Sequence, residues 1–179
     1  MADRTLLLLR HGIAEDRDAA ATADQEAARP LTAPGRRRTR AVLDRLVAAG
    51  VRADRLLSSP LLRAQQTAEL AMASGLATGW DVAEPLAPAG EALALVTALW
   101  GPGPEEPAWS SLLLVGHEPD LGLLATRLVG APPGAISLKK AGLAVLVLPP
   151  RQAWVAGGLA GSARLEALIT PRLVLQEQR

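Results

Sequence analysis

Short blocks of consecutive leucines alternate along the chain with longer stretches whose apolar residues recur every three or four positions. Residues 5–9 are an apolar run between Arg4 and Arg10, the pattern of a strand buried on both faces. Arg55–Ser58 and residues 111–115 predict two more such strands. Thr32, with Pro34 close behind, opens a helix. Its stripe is Val42, Leu43, Leu46 and Val47, and Gly50 supplies its C-terminal stop. Ser59 and Pro60 predict an N-cap followed by proline at the first helical position, with the helix running to about Ala73 and ended by Gly75. Residues 82–86 predict a short strand or extended loop. Residues 91–100 predict a helix with Leu95, Val96, Leu99 and Trp100 on its apolar side. A further helix spans Asp120–Val129, and a turn follows at residues 131–134. Strands at 142–148 and Arg164–Ile169 close the pattern, each stopped by proline. Residues 13–30, rich in Ala, Asp and Glu, have no apolar face and predict a loop with room for one helical turn. Residues 101–107 hold three prolines and predict another loop.

Strands alternating with helices predict a three-layer α/β/α sandwich around a mostly parallel sheet. The last two strands have no helix between them, so they pair as a hairpin and the sheet is mixed. A chain of 179 residues suits a single domain, 1–179. Hydrophobic residues make up 49% and charged residues 21%, a globular composition. With 19 basic against 18 acidic residues, the net charge of +1 gives no electrostatic case for nucleic acid. The absence of cysteine excludes disulfides, thiolate metal sites and thiol nucleophiles. No apolar run nears the ~20 residues of a membrane span. The leucine run near the N-terminus is shorter than the ~7–15 apolar residues of a signal peptide. These features predict a cytoplasmic protein that does not engage a membrane. Only Lys139 and Lys140 among the basic residues are lysines, so a single arginine carries weight only from its context.

The chemistry sits where strands end. The chain has two histidines, His11 and His117, each just after a leucine-rich strand. In open α/β sheets ligands bind beyond the carboxyl ends of the strands. If the two strands are neighbours, both imidazoles share one pocket. Arg10 stands beside His11. Arg63 falls in the first turn of the helix after Arg55–Ser58, where free N–H groups already favour an anion. Two imidazoles and two guanidiniums, with no carboxylate evident among them, suit a phosphoryl group. Neutral histidine is also a competent covalent nucleophile.

These residues resemble the histidine phosphatase superfamily, and within it the SixA-like phosphohistidine phosphatases. The matching segments are Arg10-His11-Gly12-Ile13-Ala14, then Arg29-Pro30-Leu31-Thr32 with Gly35. Ser58-Ser59-Pro60-Leu61-Leu62-Arg63-Ala64-Gln65-Gln66-Thr67-Ala68-Glu69 and Val115-Gly116-His117-Glu118-Pro119-Asp120-Leu121 follow in order. Leu86-Ala87-Pro88 and residues 168–173 match more weakly. The resemblance runs nearly end to end and implies a phosphoglycerate mutase-like fold. It also implies that His11 is the nucleophile, that Arg10 and Arg63 clamp the phosphate, and that His117 donates to the phosphoryl oxygens. It implies no metal or other cofactor.

Larger superfamily members protonate the leaving group with an acid. Glu84 and Glu15 are the two candidates here, each with a solvated surface role as the plainer reading. A site without a strong acid still suits phosphohistidine, because imidazole leaves as a neutral base whose conjugate acid has a pKa of ~6.5. The expected function is therefore metal-independent hydrolysis of phosphohistidine on a protein. The alternatives are hydrolysis of a small phosphate ester, or a phosphate-binding module without turnover. Short connections speak against a mutase. Lys139 and Lys140 read as the solvated start of a strand, with a substrate-facing role as the alternative. Arg36, Arg37, Arg38 and Arg40 read as the exposed face of the first long helix.

Overall fold

The computed structural model describes residues 4–100, 109–150, 158 and 160–176. The predicted loop at 101–107 lies outside them. The strands are β1 (Arg4–Arg10), β2 (Arg55–Ser58), β3 (Asp81–Val82), β4 (Ser111–Gly116), β5 (Leu143–Leu148) and β6 (Arg164–Ile169). The helices are α1 (Ala23–Ala27), α2 (Ala33–Ala48), α3 (Leu62–Ala73), α4 (Ala92–Trp100), α5 (Asp120–Val129) and α6 (Pro171–Leu175), with a 3-10 turn at Glu84–Leu86. The sheet runs in the order β3-β2-β4-β1-β5-β6. The first four of these are parallel neighbours, and β5 pairs antiparallel with both β1 and β6. This is the mixed sheet that the alternation of elements predicts. The extended stretch expected at 82–86 divides into the short strand β3 and the 3-10 turn.

The leucine runs face both ways, as continuous apolar strands must when helices cover both sides of a sheet. Leu6, Leu8, Leu112 and Leu114 pack with Val96 and Trp100 of α4 and Leu121, Leu124 and Leu128 of α5. Leu7, Leu9, Leu113 and Val115 pack on the opposite face with Val42, Leu43 and Leu46 of α2 and Ala64, Ala68 and Ala71 of α3. Thr32 caps α2, its hydroxyl accepting from the Gly35 N–H at 2.9 Å. The Arg10-His11-Gly12 turn lies directly beneath α2. A Cβ on Gly12 would stand 2.2 Å from Thr39 Oγ1, so only glycine lets the helix approach so closely. Among the described residues no helix is long and apolar enough to cross a membrane.

Two local expectations are corrected. Helix α3 starts at Leu62 with Leu61 as its N-cap and has no side-chain cap, so Ser59 does not cap it. The reason is that the Ser59 hydroxyl is engaged elsewhere, with His117 (2.7 Å) and the Leu61 N–H (3.3 Å). Proline at position 171 does not only stop β6; it opens the short helix α6.

The core analysis makes a stability prediction. Leu114 is 0% exposed at the centre of the sheet, and Leu173 is 73% exposed on α6. Leu114→Ala should cost about 2–5 kcal/mol, and Leu173→Ala no more than about 0.5 kcal/mol, both read by chemical denaturation.

Candidate active site

Strands β1 and β4 are adjacent and in register, with Arg10 opposite Gly116. The His11 N–H donates to the Gly116 carbonyl at 3.1 Å, carrying the pairing one residue past the strand end. The chain then turns at both strands, and His11 and His117 meet with ring centroids 5.1 Å apart. They are 6% and 3% exposed.

The hydrogen bonds fix the state of the first ring. His11 Nδ1 lies 2.7 Å from the Gly12 carbonyl, which only accepts. Nδ1 therefore carries the proton, and Nε2 keeps its lone pair. Burial, the neighbouring His117 and the Arg63 and Arg10 charges push His11 down to about 3, against the pull of the Gly12 carbonyl. Burial, Arg63 and Arg10 push His117 down to about 3 as well. Both rings are neutral near pH 7. His117 Nε2 is 2.7 Å from Ser59 Oγ. Ser59 Oγ also accepts from the Leu61 N–H; with its own proton given to Nε2, the N–H of His117 sits on Nδ1.

The arginines are anchored by part of their donor sets. Arg10 donates from Nη1 to the Leu138 carbonyl at 2.9 Å. Glu118 Oε1 accepts from the N–H of the same Leu138 at 2.9 Å, so one carboxylate secures the loop that orients Arg10. Gly122 leaves room for it: a Cβ there would fall 2.8 Å from Glu118 Oε2. Arg63 sits in the first turn of α3. It donates from Nη1 to the Glu26 carbonyl at 2.9 Å, and its Nη2 pairs with Glu26 Oε1 at 3.0 Å. Glu26 also binds Arg29 through two hydrogen bonds, of 2.8 and 3.0 Å. What remains is informative: His117 Nδ1, Arg10 Nε and Arg63 Nε are buried and have no partner among the described residues.

The structure thus brings His11, His117, Arg10 and Arg63 together. It does not bring Glu84 or Glu15 into the cluster. Glu84 begins the 3-10 turn and is exposed; Glu15 is exposed on the loop before α1, which its carbonyl ties to Arg29. The expectation of a cluster without a carboxylate is corrected, because Glu26 pairs with Arg63 from a segment 37 residues away in sequence. A signal for its placement was present. Thr22 and Gln25 form a capping box, Thr-x-x-Gln, that starts α1 and sets Glu26 at its end. Among the described residues no group of three or more metal-binding side chains occurs.

Comparison with known proteins places this arrangement. The histidine phosphatase superfamily (branch 1) matches residues 6–86. An uncharacterised protein of Picosynechococcus sp. strain PCC 7002 is 41% identical over 141 residues, 77% of this chain and 81% of that protein. Among solved structures, the protein histidine phosphatase SixA complexed with tungstate is 26% identical. That match covers 95% of this chain and 99% of the other, with a TM-score of 0.74. A mycobacterial glucosyl-3-phosphoglycerate phosphatase shares the fold at 20% identity, over 94% and 100% of the two chains, with a TM-score of 0.65. The fold is the phosphoglycerate mutase-like α/β fold, and it is the fold of phosphatases. The chain belongs to the histidine phosphatase superfamily.

The depressed histidines make a pH prediction. An unfolded histidine takes up its proton near pH 6.5, but the folded ones do so only near 3. Between those values the unfolded chain binds more protons, so stability falls as the pH falls. From pH 6.5 to 5 each histidine should account for at most about 2 kcal/mol. Denaturant titrations at several pH values should show this loss, and His117→Gln should reduce the slope.

Proposed function

We propose that this protein is a metal-independent phosphatase that hydrolyses phosphohistidine on a protein through a covalent intermediate on His11. The observation that carries the reading is the set of three buried nitrogens without a partner, Arg10 Nε, Arg63 Nε and His117 Nδ1, around a neutral histidine with a free Nε2 lone pair. Such donors are costly to bury unpaired, and a phosphoryl group supplies several acceptor oxygens at once.

The steps follow from the atoms. His11 Nε2 attacks phosphorus, and the bond from phosphorus to the substrate nitrogen breaks. The hydrogen bond from Nδ1 to Gly12 holds the ring in place and stabilises the positive charge that develops on it. Arg10 Nε, Arg63 Nε and His117 Nδ1 donate to the phosphoryl oxygens as charge builds on them. Water then displaces His11 at phosphorus, releasing inorganic phosphate and restoring the Nε2 lone pair.

The preference for a P–N bond rests on the acid. The hydrogen bonds from Arg29, and the charges of Arg63 and Arg29, hold the Glu26 carboxyl below the usual carboxylate range. An ionised Glu26 is a poor proton donor for an alkoxide. A ring-protonated phosphohistidine needs none, since it leaves as neutral imidazole. The likeness to the protein histidine phosphatase SixA supports the same substrate.

The test is phosphate release from a phosphohistidine-carrying protein in the presence of a metal chelator. Wild type should release phosphate, and His11→Ala should be slower by about a thousandfold. If wild type releases none but cleaves an aryl phosphate, the substrate is a small ester. If it cleaves neither, the pocket binds phosphate without turnover.

A further inference from the structure

A second concave surface adjoins the histidine pocket and shares Arg10 with it. It is a cavity of about 460 Å³ between α2, the turn before β5 and the start of α6. Arg10, Ile13, Arg38, Lys139, Lys140 and Arg172 line it, and no carboxylate does among the described residues. A chain of net charge +1 therefore concentrates five cationic side chains on one groove beside its active site. Ile13 and Pro171 give the groove apolar walls.

The turn that carries the lysines is built into the active-site strand. The Ala141 N–H donates to the carbonyls of both Arg10 and His11, each at 3.1 Å, and the Arg10 N–H donates to Gly142 at 3.1 Å. Ala141 holds a φ of 60°, in the left-handed region that a residue with a Cβ rarely adopts. These hydrogen bonds fix that conformation and with it the position of Lys139 and Lys140. Both lysines are exposed, and neither has an ion-pair partner among the described residues.

We propose that this groove is a docking subsite for acidic side chains that flank the phosphohistidine of a protein substrate. The inference rests on the phosphohistidine reading above. A protein can bury only its phosphorylated side chain in the histidine pocket, so its neighbouring residues must lie along the adjoining surface. Cationic groups there favour carboxylates, with a strong dependence on ionic strength because the lysines are exposed.

Two phosphohistidine peptides test it, alike except that one has Asp and Glu around the histidine and the other Ser and Ala. At low salt, wild type should show a kcat/KM about tenfold higher on the acidic peptide, carried by KM and lost at high salt. The double substitution K139E/K140E should bring the acidic-to-neutral ratio to one or below. Equal kcat/KM in wild type, or a preference that survives the charge reversal, would overturn the docking site. If wild type turns over neither peptide, the phosphohistidine reading fails. The groove is then judged by fluorescence anisotropy with the unphosphorylated peptides on His11→Ala protein. Tighter binding of the acidic peptide, abolished by K139E/K140E, would retain the docking site. Equal binding, with displacement by a small dianion, would assign the groove to a small ester and overturn it.

Discussion

The parallel pairing of β1 with β4 is the constraint on which the site depends. It places Arg10 opposite Gly116, and hence His11 beside His117. Most half-buried strands fix their register by alternation, because a slip of one residue would expose the apolar face. The leucine runs of β1 and β4 are apolar on both faces and lack that safeguard. Their register is fixed at the ends instead. The Thr5 N–H donates to the Ser110 carbonyl at one end, and the His11 N–H donates to the Gly116 carbonyl at the other. Asp54, leading into β2, accepts from the Ser110 and Ser111 N–H groups at 2.8 and 2.9 Å. Its carboxyl is held down to about 2 by its hydrogen bonds to Ser110 and, less strongly, to Ser111, against the opposing effect of burial. Polar residues at the strand ends thus align a core that could otherwise slide.

The positive charge at the site serves two ends that could conflict. A phosphoryl group calls for cations, yet an attacking histidine must be unprotonated. Arg10 and Arg63 satisfy both needs, because buried charges that attract phosphate also disfavour a proton on a neighbouring imidazole. Glu26 limits the excess. It engages both Nη groups of Arg63 and leaves the buried Nε without a partner, so the guanidinium is oriented with a donor to spare. Glu118 acts similarly for Arg10, through the Leu138 peptide.

Much of the fold was legible because it follows local rules. Arg55–Ser58, Asp120–Val129 and Arg164–Ile169 lie where apolar runs and helical spacing place them. That His11, His117 and Arg63 follow strand ends was legible through the rule that sites form there. That β1 and β4 are neighbours, so that the two histidines meet, rested on the family resemblance and not on any local rule. What escaped depends on side-chain destinations. Ser59 reads as a helix cap, yet its hydroxyl faces two uses, and the partner that wins is a histidine 58 residues away. The Thr22–Gln25 capping box sets Glu26 near the end of α1, but the segment has no apolar face to say which way the helix docks, so the box alone does not say that Glu26 reaches Arg63. Helix α6 was hidden because one proline both ends a strand and begins a helix.

The pocket is a local weakness that the rest of the chain offsets. Two histidines are kept neutral by burial, and three buried donors lack partners, each arrangement costing folding free energy. Such a concentration of unpartnered buried nitrogens in one pocket, at the ends of two strands packed on both faces, marks residues held for a ligand more than for the fold. The compensation is in the adjoining elements. The leucines of β1 and β4, which carry the two histidines at their ends, are packed on both faces and almost wholly excluded from water. The least stable chemistry is thereby mounted on the best-packed strands, where the geometry needed for reaction changes least. The same logic explains why the lysine-bearing turn is bonded to Arg10 and His11, since a groove that shares an arginine with the pocket gains the rigidity of the strand that holds both.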